Sequence, residues 1–239
     1  VYVIGMGPGA YEQMTVKAAR ILEQCDVIVG YTVYVDLLKE HFPEKKYLTT
    51  GMRREVDRCR LAFEEAKKGE LTAMVCSGDA GIYGMAGLMY EVGEDYPDVE
   101  IEVVPGVTAA MGGSAVLGAA VGHDVSLISL SDLLTPWELI EERLKCAAKG
   151  DFVICLYNPS SKKRSTYLKK ACEQILEYKS EETVCGIVKN IAREGEQMQI
   201  LTLKELAHTQ VDMFSTVFIG NRQTKVIRGK MITPRGYSI

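Results

Sequence analysis

The chain has 239 residues, of which 47% are hydrophobic and 25% are charged, so it is long enough for one large or two small globular domains. Its formal net charge of -4 argues against a general nucleic-acid binder, and no apolar run approaches the length of a membrane span. We therefore expect a cytoplasmic protein without a nucleic-acid or membrane partner. The seven cysteines include no CxxC pair, which predicts buried reduced thiols and no metal site.

The first segment is predicted to form a strand, a glycine turn and a helix. The turn, GMGPGA at 5–10, satisfies the loose form of the dinucleotide fingerprint, and helical periodicity follows at 15–22. However, Pro8 lacks the amide hydrogen that a pyrophosphate would use, and no acidic residue follows the next strand, at 27–29, to bind a ribose. A nucleotide-binding oxidoreductase therefore stays open as an alternative of a different class.

The segment GMRREVDRCRLAFEEA at 51–66 is predicted to form an amphipathic helix whose apolar face carries Val56, Cys59, Phe63 and Ala66. Arg53 and Arg54 stand at its start, where cations oppose the helix dipole. An anionic partner would explain them, although a solvated helix start is an equally good interpretation.

The central stretch is LTAMVCSGDAGIYG at 71–84, an apolar run that breaks into small and acidic residues. It predicts a parallel strand buried on both faces and a turn that begins at Ser77, followed by a helix over 82–92. Ligands bind beyond the carboxyl ends of parallel strands, so Gly78 and Asp79 fall where a small molecule would be held. Asp79 is suited either to accept hydrogen bonds from an amino group or a ribose, or to stabilise the turn.

A third strand, at 101–104, ends in PGVTAA at 105–110. Together with 5–10 and 77–84, it gives three strand ends rich in small residues, which we expect to form one continuous crevice lined by backbone.

The second half is predicted to form another α/β unit with more paired strands than the first. A helix of small residues runs from 109 towards 122, and His123 and Asp124 follow it at a hinge. We therefore expect an α/β protein of two α/β domains, 1–118 and 119–239. The N-terminal domain is expected to have a mostly parallel sheet, and the C-terminal domain is expected to have a mixed sheet.

Three motifs, GMGPGA at 5–10, SGDAGIYG at 77–84 and VVPGVTAA at 103–110, resemble in order and spacing those of the tetrapyrrole methylase family. Further segments resemble the corrin-pathway members that methylate carbon 17 of the macrocycle and contract its ring: YTVYVDLL, GMRREVDRCR, GHD, SLSDLLTPWE and YNPSSKKR. The resemblance covers essentially the whole chain. It implies the two-domain fold of that family with an active-site cleft between the domains. It also implies a homodimer and a methyltransferase that uses S-adenosylmethionine and releases S-adenosylhomocysteine.

The resemblance also implies a set of cofactor-binding positions: Pro8, Gly78, Asp79, Ala80, Ile82, Thr108, Ala109, Tyr157 and Thr216. Many relatives have proline where this chain has Ala80, which puts the rigidity of that loop in doubt.

A tetrapyrrole substrate carries several carboxylates, and five cations are suited to anchor them: Arg53, Arg54, Lys162, Lys163 and Arg164. Ring contraction needs proton transfers, and His123 with Asp124 is the best acid–base pair that the sequence offers, although a structural role is an alternative. The substrate carries cobalt or is metal-free. Other family activities also stay open, namely methylation of another corrin carbon, diphthine synthesis and rRNA methylation.

Overall fold

The structure, a computed structural model, describes residues 1–161 and 164–238. The chain divides into two compact units, Val1–Ala109 and Ala110–Ile239. The boundary expected after residue 118 stays a prediction. Within the described residues, no helix combines the length and the apolar character needed to cross a bilayer.

The first unit contains one sheet and four α-helices. In chain order its elements are β1 (Tyr2–Gly5), α1 (Val16–Gln24), β2 (Val27–Tyr31), α2 (Thr32–Asp36), β3 (Lys46–Thr50), α3 (Glu55–Lys67), β4 (Thr72–Cys76), α4 (Ala86–Gly93) and β5 (Glu102–Val104). The strand order is β3-β2-β4-β1-β5, and each neighbouring pair is parallel. The carboxyl ends of all five strands therefore lie at one edge of the sheet.

Alternating apolar side chains bury this sheet on both faces. Ile4, Ile28 and Val75 belong to one core cluster, whereas Val3 and Met74 belong to the other. Continuous apolar runs suit strands that are covered on both sides, and this is why β1, β2 and β4 were predictable.

The second unit is built on a mixed sheet. Its elements are α5 (Ala109–Leu117), which begins at the boundary, β6 (Gly118–Ala119), β7 (Val125–Ser129), α6 (Trp137–Lys149), β8 (Val153–Tyr157), α7 (Tyr167–Leu176), β9 (Val184–Lys189), β10 (Gln197–Thr202), α8 (Leu203–Leu206), β11 (Ser215–Ile219), β12 (Lys225–Ile227) and β13 (Lys230–Ile232). The main sheet has the order β10-β9-β11-β8-β7, in which β7 and β8 are parallel and the other pairs are antiparallel. A small sheet of order β12-β13-β6 completes the unit. The expected fold class is thus confirmed, with a parallel sheet first and a mixed sheet second.

Two local predictions are wrong. The helix expected from residue 82 begins at Ala86, because the Asp79 carboxylate accepts hydrogen bonds from the amides of Gly81 and Ile82 and so extends the loop. On α3, Val56 is 42% exposed, whereas Arg58 is only 5% exposed. The Thr50 hydroxyl and the Gly51 carbonyl accept hydrogen bonds from this arginine, which allows its burial against the expectation from its residue type.

Candidate functional site

Two glycine loops of the first unit are joined backbone to backbone. The amide of Gly7 donates to the carbonyl oxygen of Gly78 at 3.0 Å, and the amide of Gly78 donates to the carbonyl oxygen of Gly7 at 2.7 Å. Both residues have positive φ, 77° and 71°, which glycine adopts without strain. The loop that follows β1 and the loop that follows β4 therefore form one rigid element.

The third loop packs against the same element without room for a side chain. A Cβ atom on Gly106 would lie 2.2 Å from the carbonyl oxygen of Gly78 and 2.5 Å from that of Gly5. The three strand ends that were expected to meet do so within this unit, because β1 lies between β4 and β5.

Asp79 joins the loop after β4 to the loop after β5. One carboxylate oxygen accepts the amides of Gly81 and Ile82 at 2.8 and 3.0 Å, and the other accepts the amide of Gly106 at 3.0 Å. Of the two roles considered for this residue, the geometry favours stabilisation of the turn.

The remaining predicted cofactor positions of this unit differ in burial. Pro8, Gly78 and Thr108 are buried, and Ile82 and Ala109 are half-buried. Ala80 is fully buried in the apolar core, and its carbonyl oxygen accepts the amide of Ala86 at 2.9 Å.

A dinucleotide site does not fit this geometry. The amide and carbonyl of Gly7 are both committed to Gly78, and α1 begins only at Val16, after a short 3-10 helix at Tyr11–Gln13. A dinucleotide fold needs free amides at the start of a helix that directly follows the glycine turn.

In the second unit, Tyr157 and Thr216 are brought together. Tyr157 is the last residue of β8, and the pairing of Val217 with Leu156 places Thr216 beside it on β11. The phenol oxygen of Tyr157 accepts the amide of Ala110 in the first turn of α5 at 2.9 Å. The carboxyl end of β8 is therefore fixed to the start of this helix.

The pair His123 and Asp124 lies at the other end of these strands. It directly precedes β7, and the carbonyl oxygen of Asp124 accepts the amide of Val153 at the start of β8. The imidazole Nδ1 lies 3.3 Å from the Asp124 carboxylate, and both side chains are largely exposed. The structure does not bring this pair together with Tyr157 and Thr216.

The predicted substrate anchors differ in how they are bound. Arg54 is exposed and pairs with Asp57 at 2.7 Å, and the neighbouring Arg53 has a positive φ of 64°. The Arg164 side chain is only 16% exposed and contacts the Ser131 hydroxyl at 2.7 Å and the Asp132 carboxylate at 3.4 Å. Lys162 and Lys163 lie outside the described residues.

Sequence reasoning missed Arg58, whose guanidinium lies at the carboxyl edge of the first sheet. Its Nε donates to the hydroxyl of Thr50 at 2.9 Å, and Nη2 donates to the carbonyl oxygen of Gly51 at 3.0 Å. The periodicity of α3 could have drawn attention to it, since Arg58 lies four positions before Ala62, which is buried on the same helix.

Among the residues that the structure describes, no group of three or more His, Cys, Asp or Glu side chains could hold a metal ion. The thiol of Cys76, at the end of β4, is buried, and burial raises its pKa to about 11. It is therefore a neutral group at physiological pH.

Comparison with known proteins matches residues 1–207 to the family described as Tetrapyrrole (Corrin/Porphyrin) Methylases. A cobalamin biosynthesis protein of Archaeoglobus fulgidus is 46% identical over 239 residues; the match covers all of this chain and 53% of that protein, so the chain spans about half the length of this relative. A probable cobalt-factor III C(17)-methyltransferase of Salmonella typhimurium is 45% identical over 238 residues and is matched over 99% of both chains. The crystal structure of the methyltransferase CobJ has a TM-score of 0.89 at 32% identity, with 98% of each chain covered.

Proposed function

Because the chain belongs to the tetrapyrrole methylase family, we propose that it methylates carbon 17 of cobalt-factor III in cobalamin biosynthesis, with contraction of the ring. S-adenosylmethionine is the proposed methyl donor and S-adenosylhomocysteine the product. The observation that carries the proposal is the rigid junction of three glycine loops at Gly7, Gly78 and Gly106. The name of the Salmonella relative favours the cobalt-containing substrate, and metal-free precorrin-3B is the alternative.

The residues at the junction fit a cofactor of this kind. Small residues at Gly78 and Ala109 let a ligand approach the loops, and Asp79 keeps the loop after β4 in one conformation. When bound, the cofactor supplies an electrophilic methyl group on a sulfonium. The contribution of the protein to such an in-line displacement is alignment and the exclusion of water, for which no strong base is needed.

In the second unit we assign a cofactor contact to Tyr157 and Thr216. Both lie at the carboxyl end of β8, and Thr216 is only 6% exposed. The bond from Ala110 fixes the phenol ring of Tyr157, so the ring is preorganised for a ligand.

Of the five cations predicted to anchor substrate carboxylates, we propose the exposed Arg53 and Arg54 as anchors. Arg164 is better explained as a support for the loop at 131–132, since its guanidinium is bound to Ser131 and Asp132. The acid–base role of His123 and Asp124 stays a prediction, and their position at the amino ends of β7 and β8 argues against it.

The decisive experiment incubates the protein with methyl-labelled S-adenosylmethionine and either cobalt-factor III or precorrin-3B. Transfer of label to the macrocycle, together with a ring-contracted product identified by mass spectrometry, supports the proposal. Titration calorimetry with S-adenosylhomocysteine and with NAD tests the class of enzyme independently, because binding of NAD alone would contradict a methyltransferase.

We also propose that the protein works as a homodimer in the cytoplasm, as the family resemblance implies. Sedimentation equilibrium distinguishes a dimer from a monomer of 26.4 kDa.

A further inference from the structure

Arg58 is a buried cation whose hydrogen-bond partners are neutral. It projects from α3 with 5% exposure, and its guanidinium contacts the Thr50 hydroxyl, the Gly51 carbonyl and, at 3.9 Å, the sulfur of Met85. A buried charge is costly unless an opposite charge compensates it, so this arrangement calls for an anion.

The described residues offer no such counter-charge. None of their ion pairs includes Arg58. The nearby thiols do not supply it, because burial raises the pKa of Cys59 to about 12 and that of Cys76 to about 11. The ring of Tyr31, 5.7 Å from the guanidinium, offers only a cation–π contact, and the positive end of the α3 dipole adds to the imbalance.

The position of Arg58 connects it with the ligand edge of the sheet. Tyr31 is the last residue of β2, Thr50 is the last residue of β3, and Met85 directly follows the loop 77–84. A guanidinium has five N–H groups, and the contacts to Thr50, Gly51 and Met85 use three of them, so two remain for a ligand.

We propose that Arg58 binds a carboxylate of a ligand held at this edge. The inference rests on the proposed function and adds a buried arginine to the exposed arginines already proposed as anchors. The methionine part of the cofactor carries a carboxylate, and so do the peripheral acid groups of the macrocycle. A guanidinium can form a bidentate ion pair with either of them.

The test uses Arg58→Met and Arg58→Lys, with Arg60→Met as a matched control, because Arg60 lies on the same helix with an exposed side chain. Calorimetry measures the Kd of S-adenosylhomocysteine and of 5′-methylthioadenosine, which has the same adenosine and thioether but no carboxylate. Steady-state assays measure the KM for cobalt-factor III.

If Arg58 binds the cofactor, Arg58→Met weakens S-adenosylhomocysteine binding about tenfold to a hundredfold and leaves methylthioadenosine unchanged. If it binds the macrocycle, the KM rises by a similar factor and both Kd values stay the same. Arg58→Lys keeps the charge but not the planar fork, so we expect an intermediate effect and a folded protein for comparison.

The inference would be overturned if Arg58→Lys and Arg58→Met lowered the melting temperature but left Kd and KM unchanged. Arg58 would then contribute only to the stability of the fold. Failure of the proposed function has a different signature, because the unsubstituted protein would then bind no S-adenosylhomocysteine and methylate neither macrocycle.

Discussion

The carboxylate of Asp79 accepts the amide of Gly106 at 3.0 Å and thereby joins the loop after β4 to the loop after β5. The same side chain accepts the amides of Gly81 and Ile82. One short carboxylate thus determines the relative position of the loops that we propose as the cofactor site.

Replacing Asp79 with Asn leaves one oxygen where there were two, so at least one of these amides loses its partner. We expect the free energy of unfolding to fall by about 1–3 kcal/mol and S-adenosylhomocysteine binding to weaken. Urea unfolding and calorimetry measure the two effects. Asp98→Asn, at an exposed position of the same unit, is the control and should change neither.

Gly106→Ala tests the close approach of the loops. The new Cβ atom would lie 2.2 Å from a backbone oxygen that cannot rotate away. We therefore expect the free energy of unfolding to fall by about 3 kcal/mol or more. Gly87→Ala is the matched control, because nothing lies within 4 Å of its Cβ position on α4. Thermal unfolding should show the control at or above the wild-type melting temperature, since alanine favours a helix by up to about 1 kcal/mol.

The buried thiols predict a loss of stability at alkaline pH. Burial raises the pKa of Cys172 to about 12 and that of Cys76 to about 11, whereas an unfolded thiol ionises near about 8.5. Between these values the unfolded chain releases protons that the folded chain keeps, so stability is fully present below about pH 8.5 and falls as the pH rises. Each such thiol contributes up to about 1.4 kcal/mol per pH unit.

Urea unfolding at about pH 8, 9 and 10 measures this slope. Cys172→Ala should reduce it, and Cys146→Ala should leave it unchanged because Cys146 is exposed. An unchanged slope in Cys172→Ala would contradict the assignment of the pH dependence to buried thiols.

His123→Asn examines the predicted acid–base pair. The strand β7 alone spans about 13 Å, and His123 lies before its amino end, so the imidazole is far from the carboxyl end of this strand. We therefore expect methylation and ring contraction to stay within about twofold of wild type in a single-turnover assay. Selective loss of ring contraction, with methylation intact, would instead support the catalytic interpretation.

The parallel first sheet, its three glycine-rich strand ends and the family were all predictable from the amino-acid sequence. These features depend on local signals, since an apolar run followed by glycines specifies a buried strand and a turn whatever surrounds it. The sequence did not reveal β3, an edge strand with no fully buried residue and hence no apolar run.

The roles of individual polar residues became clear from contacts between segments that are distant in the chain. The sequence allowed two roles for Asp79, which were to bind a ligand or to stabilise the turn. The hydrogen bond from the amide of Gly106, 27 residues away, favours the stabilising role. The sequence drew attention to Arg53 and Arg54, whereas the buried arginine of this segment is Arg58, because contacts from β3 and from the loop after β4 surround it. The physical reason is that burial and hydrogen bonding of a charged side chain depend on elements distant in the chain, which no local pattern encodes.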